Sequence, residues 1–144
     1  MSKIYQAYLP AQNKFQAEFI KLRETFVKAS AGKYVSSSKV AYLCLEAFRN
    51  MEPEQINAAL AKYDITRAYD EDHDRITANG GVMTVNLRSG PTELARHIQD
   101  RMAAEFMVSY HIRDLFIAAI IMAFDLKKKN IKLILEAYSA TPVN

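Results

Sequence analysis

The stretch GGVMTVNLRSGPTELARHI, residues 80–98, carries the strongest indication of the fold. Apolar and polar residues alternate in its first half, which predicts a β-strand with two chemically different faces. Val85 and Leu87 would lie on the buried face of this strand. The polar residues of the opposite face are Thr84, Asn86 and Arg88. Because one strand alone is unstable in water, this segment is expected to pair with another strand.

The partner strand is predicted at the start of the chain, where KIYQAYLP (residues 3–10) also alternates and ends at a proline. An antiparallel ribbon of residues 3–9 and 82–88 would place one apolar face over a layer of helices. The residues expected to be buried on that face are Ala7, Leu9, Val85 and Leu87.

Four main helices are predicted from apolar residues that recur at spacings of three and four. Their apolar positions are Phe15, Phe19, Leu22, Phe26 and Ala29; then Val40, Leu43, Cys44, Ala47 and Phe48; then Leu94, Ile98, Met102 and Phe106; and finally Ile112, Leu115, Phe116, Ala119, Ile120, Ala123 and Phe124. A shorter helix is expected from Pro53 to Tyr63. The tail is expected to add only a turn or two before a frayed end. Lys127–Lys129 are expected to complement a helix C-terminus in solvent. The alternative for these three lysines is contact with the flanking DNA backbone.

The predicted elements repeat along the chain as strand, helix, Val-Ser turn and helix, which is the kind of order that an internal duplication leaves. The first half covers residues 1–50 and the second half residues 82–126. A helix and an acidic connection, 51–81, join them, and a basic tail, 127–144, follows. With 144 residues, the chain is expected to form one intertwined domain (1–144) with a modest core.

The charge is distributed unevenly along the chain. Residues 1–50 carry a net charge of +5, residues 51–81 carry −4, and residues 82–144 carry +2. Two basic segments that flank an acidic one are compatible with a polyanionic partner. No apolar run is long enough for a membrane span, no signal segment is recognised, and the single cysteine fits a reducing compartment. These features predict a cytoplasmic protein.

The second half has the most specific order of motifs: strand MTVNLR, helix PTELARHIQDRMAAEF, turn MVSYH and helix IRDLFIAAIIMAF. The first half contributes the helix start VSSSKVAYLCLEAF. This order resembles the ribbon-helix-helix fold of the Arc/MetJ superfamily of DNA-binding proteins, over roughly residues 2–50 and 82–126. The resemblance implies a mainly α fold with a two-stranded antiparallel ribbon. It also implies a tandem ribbon-helix-helix, an intramolecular pseudo-dimer similar to TraY-like proteins, with extra helices.

The resemblance further implies a non-enzymatic, sequence-specific double-stranded DNA-binding protein. Its ribbon would enter the major groove, where base edges present a distinguishable pattern of donors and acceptors. It would act as a transcription regulator such as a repressor, or as an accessory factor in plasmid DNA processing during conjugation. The predicted base-contacting residues are Gln6, Tyr8, Thr84, Asn86 and Arg88. Pro10 stands where the second strand has Arg88, so the bound site is expected to be asymmetric.

Phosphate contacts are expected where the second helix of each half begins. The first N–H groups of a helix lack intrahelical partners, and the helix dipole favours an anion there. A serine before a helix is far more often only a cap, but here both serines fall at equivalent points of the repeat. The predicted phosphate-binding residues are Lys33, Ser36, Ser37, Ser38 and Lys39 in the first half, and Ser109, Tyr110, His111 and Arg113 in the second.

Other kinds of site are not predicted. Asp70, Asp72 and Asp74 have the first spacings of a calcium loop, but Arg75 stands where that loop needs glycine. The three histidines lack metal-ligand spacing, so no catalytic residue, metal or cofactor is expected. The alternative function is a protein-interaction module, such as an antitoxin or adaptor, that uses its helices or tail. Self-association of chains on DNA is left open.

Overall fold

The structure is a computed structural model that describes residues 5–10, 13–63, 84–87 and 89–138, with the backbone alone for the strands and the first residues of two helices. In chain order its elements are β1 (Tyr5–Tyr8), α1 (Asn13–Ala29), α2 (Ser37–Ala47), α3 (Pro53–Lys62), β2 (Thr84–Leu87), α4 (Ser89–Phe106), α5 (Ile112–Ala123) and α6 (Lys128–Tyr138).

β1 and β2 form a two-stranded antiparallel ribbon. Gln6 lies opposite Asn86, and Ala7 lies opposite Val85. β2 packs against α2 and α4, so helices cover one side of the ribbon. Each strand has four residues, and most of the described chain is helical.

The apolar stripes predicted for the main helices are buried or partly buried, except for Phe106 at the end of α4, which is 39% exposed. Phe15, Phe19 and Phe26 on α1 are fully buried, as are the stripe residues of α2 from Val40 to Cys44. α5 has the most apolar sequence, and its side chains from Leu115 to Ile121 are almost wholly inaccessible. α2 and α5 pack against each other and form the centre of the core. A helix that is apolar on most sides requires such a central position.

The two remaining helices, α3 and α6, connect the halves of the chain. α3 lies in the connection that follows the first half but packs mainly on α5, and α6 follows the second half but packs mainly on α1 and also on α2. Each contributes apolar side chains to the core: Ile56 and Leu60 from α3, Ile131 and Leu135 from α6. The two halves are therefore held together by helices that cross from one to the other.

The predicted fold class is wrong for the helical body. A tandem ribbon-helix-helix pseudo-dimer would have four principal helices, with the remaining helices outside the shared core. The described residues instead form one body of six helices, in which α3 and α6 complete the core. The tail forms a longer helix than the expected turn or two, because Ile131 and Leu135, four residues apart, bury one face of an eleven-residue helix. The expected frayed end after it lies outside the described residues. Lys128 and Lys129 are the first residues of this helix, so they do not complement a helix C-terminus as expected.

The connections between paired helices differ in length. Residues 30–36 join α1 to α2, and residues 107–111 join α4 to α5. In the longer connection Ala31 and Gly32 both have positive φ, and the Gly32 N–H donates to the Val27 carbonyl at 2.9 Å. Gly32 thus ends α1 as expected for a glycine in the left-handed region. α1 and α4 are nearly equal in length, so the two halves differ in the connections between their helices more than in the first helix of each half.

Candidate nucleic-acid interface

The register of the ribbon places four of the predicted base-contacting positions together. Gln6 is paired with Asn86, and Tyr8 is paired with Thr84. Since alternate residues of a strand lie on the same face, these positions share one face of the ribbon. Leu9, the first residue after β1, is fully buried. The fifth predicted position, Arg88, lies outside the described residues.

The start of α2 has the geometry predicted for it. Ser36 is the N-cap, in an extended conformation, and its hydroxyl accepts a hydrogen bond from the Lys39 backbone N–H at 3.1 Å. Ser37 and Ser38 are the first two residues of the helix, and both are half-buried. Lys33 is exposed and Lys39 partly so. The Ser36 hydroxyl has a structural role as a cap, and an anion at this point would meet the lysines and the first turn of the helix.

Arg23 of α1 is a basic residue beside the start of α2, and the sequence alone does not identify it there. Its Nε donates to the Val35 carbonyl at 2.9 Å, and its guanidinium lies 5.1 Å from the centre of the Tyr34 ring. Tyr34 is 78% exposed, so this cation–π pair lies at the surface immediately before the N-cap of α2. Arg23 flanks the apolar stripe of α1, and no local pattern indicates a contact with a residue twelve positions away.

Arg23 also lines a groove of about 350 Å³ between α1 and the start of α2. Its other lining residues are Phe19, Ile20, Glu24, Val27, Lys28 and Ser37. The groove therefore combines an apolar floor with two cations and one carboxylate. With Lys33 and Lys39 nearby in sequence, the surface around the start of α2 has an excess of positive charge.

The Ser36 cap gives a direct test of this helix start. We expect Ser36→Ala to lower the free energy of unfolding by about 0.5–2 kcal/mol, because the Lys39 N–H loses its acceptor. Urea denaturation followed by circular dichroism measures the change. Ser109→Ala is the matched control, with an expected change within about 0.5 kcal/mol since Ser109 is exposed and does not cap a helix. Equal losses in the two variants would contradict the observed difference between the caps.

The start of α5 differs from the prediction. Its N-cap is His111, which makes no side-chain capping hydrogen bond, and Ser109 lies two residues earlier. The expected equivalence of Ser36 and Ser109 as caps is therefore wrong. His111 and Ser109 are both exposed, so they remain accessible at this end of the helix.

Two other predicted phosphate contacts in the second half differ in exposure. The Tyr110 hydroxyl donates to Asn57 Oδ1 at 3.0 Å in an exposed contact, and the Tyr110 carbonyl accepts from Gln99 Nε2. Burial raises the pKa of Tyr110 above its ordinary value. Arg113 is only 4% exposed and lies in the core-facing part of α5, so its side chain is not at the surface as the predicted phosphate contact requires.

Metal sites and membrane-spanning helices are not found among the described residues. Among the described residues, no group of three or more histidine, cysteine or acidic side chains is arranged to hold a metal ion. The sequence Asp70–Asp74 lies outside those residues. None of the helices in the described ranges combines the length and apolar character needed to cross a bilayer. No protein-family model matches the chain, and no curated protein or solved structure matches it.

Proposed function

We propose that this chain binds double-stranded DNA sequence-specifically, with its ribbon in the major groove and its helix starts on the phosphate backbone. The observation that carries the proposal is the strand register. It pairs Gln6 with Asn86 and Tyr8 with Thr84, so these four positions lie on one face of the ribbon. An amide side chain can exchange two hydrogen bonds with adenine, and two strands about 4.8 Å apart fit within a groove about 12 Å wide.

Positive charge near the start of α2 supports the same function. Phosphate contacts fix the register of a protein on DNA and supply much of its affinity, while base contacts select the sequence. Arg23, Lys33 and Lys39 supply cations next to the first turn of α2. Ser109 and His111 are the exposed residues among those predicted to contact phosphates in the second half. The two helix starts are chemically unequal, which favours an asymmetric DNA site.

The biological role that we propose is regulation of transcription or an accessory role in plasmid DNA processing. Both roles require the recognition of a defined sequence without chemistry on the DNA. A cytoplasmic location follows from either role, and the reduced, buried Cys44 suits it.

Fluorescence anisotropy with labelled duplexes tests the proposal. A selection from randomised duplexes should first yield a preferred sequence. On that duplex, the logarithm of the association constant should fall linearly with the logarithm of salt concentration, by about 0.9 for each neutralised phosphate. Random duplexes of the same length should bind more weakly at every salt concentration.

The same measurements separate DNA binding from the alternative of a protein-interaction module. Equal affinity for all duplexes, together with elution from heparin at low salt, would contradict sequence-specific binding and support an adaptor. An enriched sequence with a steep salt dependence would support the proposal.

A further inference from the structure

Five lysines from three separate segments lie at one end of the helical body. Lys14 begins α1, Lys62 ends α3, and Lys127–Lys129 lead into α6. The ammonium groups of Lys14 and Lys62 lie 5.1 and 5.5 Å from the centre of the same Tyr63 ring. Two cations therefore lie within 5.5 Å of the centre of one aromatic ring. We call Lys14, Lys62, Lys127, Lys128 and Lys129 the lysine patch.

The contacts of Phe124 and Asp125 place Lys127–Lys129 beside the other two lysines. The Phe124 ring lies 5.4 Å from that of Phe15 and 5.7 Å from that of Tyr63, measured between ring centres. Lys62 Nζ lies 3.2 Å from Asp125 Oδ2, and Lys127 is only two residues further along the chain. The three segments are thus fixed against one another by an aromatic cluster and an ion pair.

Among the described residues, Asp125 and Glu18 are the acidic residues that act on Tyr63 at the centre of the patch, and the Asp125 side chain is 77% exposed. Lys14 and Lys127–Lys129 are all exposed. Lys128 and Lys129 also occupy the first turn of α6, which contains no acidic residue. Cations are unfavourable at the positive end of a helix dipole, so this arrangement costs stability in the free protein.

The patch lies close to the ribbon along the chain. Five residues separate Tyr8, the last residue of β1, from Lys14, and the six Cα–Cα steps between them span at most about 22 Å. Pro10, between them, is buried, so this part of the connection is held against the protein. The patch is therefore within reach of the backbone of a duplex that holds the ribbon in its groove.

We infer that the lysine patch is a second DNA-contacting surface, which binds phosphates that flank the sequence contacted by the ribbon. This inference rests on the proposed function and adds a site to it. Bound phosphates would neutralise lysines that repel one another and oppose the dipole of α6. The binding is independent of base sequence, because a phosphate contact carries no information about the base.

Lys14→Gln and Lys128→Gln, made separately in the full chain, test this inference by anisotropy on the preferred duplex with long flanks. Each variant should reduce the magnitude of the salt slope by about 0.9, the value for one phosphate contact. Preference for the selected sequence over random DNA should be unchanged. Arg96→Gln is the matched control, since Arg96 is exposed on α4 and outside the patch, and its slope should equal that of the unmodified protein.

Two further measurements distinguish a DNA contact from a structural role. On a duplex trimmed to the selected base pairs, the unmodified protein and Lys128→Gln should bind equally, because the flanking phosphates are missing. Without DNA, the melting temperature of Lys128→Gln should equal or exceed that of the unmodified protein, since an unfavourable charge is removed.

Some outcomes would overturn the inference while the proposed function stands. One such outcome is an unchanged salt slope in both lysine variants while the sequence preference is intact. Another is a salt slope that Arg96→Gln reduces as much as the lysine variants do. A lower melting temperature for Lys128→Gln with unaltered binding would assign the lysine a structural role and overturn it as well. A protein with no sequence preference at all would overturn the proposed function first, and this inference with it.

Discussion

Ile131→Ala is expected to lower the free energy of unfolding by about 2–5 kcal/mol, the usual cost of truncating a large buried aliphatic side chain. Ile131 is fully buried on α6, the helix that packs mainly on α1. Its removal would leave a cavity where the end of the chain joins the first half. Urea denaturation followed by circular dichroism gives the loss as a shift in the midpoint at constant slope.

Leu133→Ala is the matched control for this effect. Leu133 lies on the same helix and is 61% exposed, so its truncation should change the free energy by no more than about 0.5 kcal/mol. Because both variants replace a large aliphatic residue by alanine in one helix, they differ chiefly in burial. Equal small losses would show that α6 contributes little to the core, contrary to its packing.

The amphipathic helices are the part of the fold that the sequence predicts best. Phe15, Phe19, Leu22 and Phe26 recur at helical spacing over seventeen residues, and all four are buried. Such a stripe is unambiguous because few other structures bring those positions to one side. The same periodicity identifies α2, α4 and α5, and Pro53 correctly indicates the start of α3.

The roles of α3 and α6 could not be predicted, because helical periodicity reveals a buried face but not the element that covers it. α3 packs on α5 and α6 packs on α1, contacts that join residues far apart in the sequence. In α6 the signal is also short, with only Ile131 and Leu135 buried behind a run of lysines. A run of three lysines resembles a solvated helix end more than a helix start.

The candidate site shows the same division between local and long-range information. Ser36 caps α2 as predicted, because capping depends on residues three positions apart. In the second half, His111 takes the cap position two residues after Ser109, Tyr110 is bonded to Asn57, and Arg113 is buried. The order of the two halves in the sequence aligns Ser36 with Ser109. The contact of Tyr110 with Asn57 depends on the packing of α3 against α5, which local spacing does not reveal.

The ribbon positions lead to the second large expected effect, on DNA recognition. Asn86→Ala should weaken binding to the preferred duplex by about 1–3 kcal/mol, the value of a good bidentate contact to a base. Binding to random duplexes should change little, because it depends on phosphate contacts. Anisotropy titrations at one fixed salt concentration give both values.

The strand register makes this prediction more specific. Gln6 is paired with Asn86, and directly paired residues of an antiparallel ribbon have Cα atoms about 4.5–5.5 Å apart. Successive bases along a DNA strand are about 3.4 Å apart. The two amides should therefore contact the same base pair or pairs no more than about two steps apart. Selections with Gln6→Ala and with Asn86→Ala should relax the sequence preference at overlapping or adjacent positions.

A double-mutant cycle then measures whether the two amides act together. Contacting residues commonly show coupling energies of about 0.5–3 kcal/mol, whereas independent sites add within about 0.5 kcal/mol. We expect the Gln6 and Asn86 losses to be non-additive on the preferred duplex and both to vanish on random DNA. Equal losses on the two kinds of duplex, or relaxed positions many base pairs apart, would contradict base recognition by this face of the ribbon. Relaxed positions many base pairs apart would mean that the two strands contact DNA independently. The observed pairing of Gln6 with Asn86 does not allow such independent contacts.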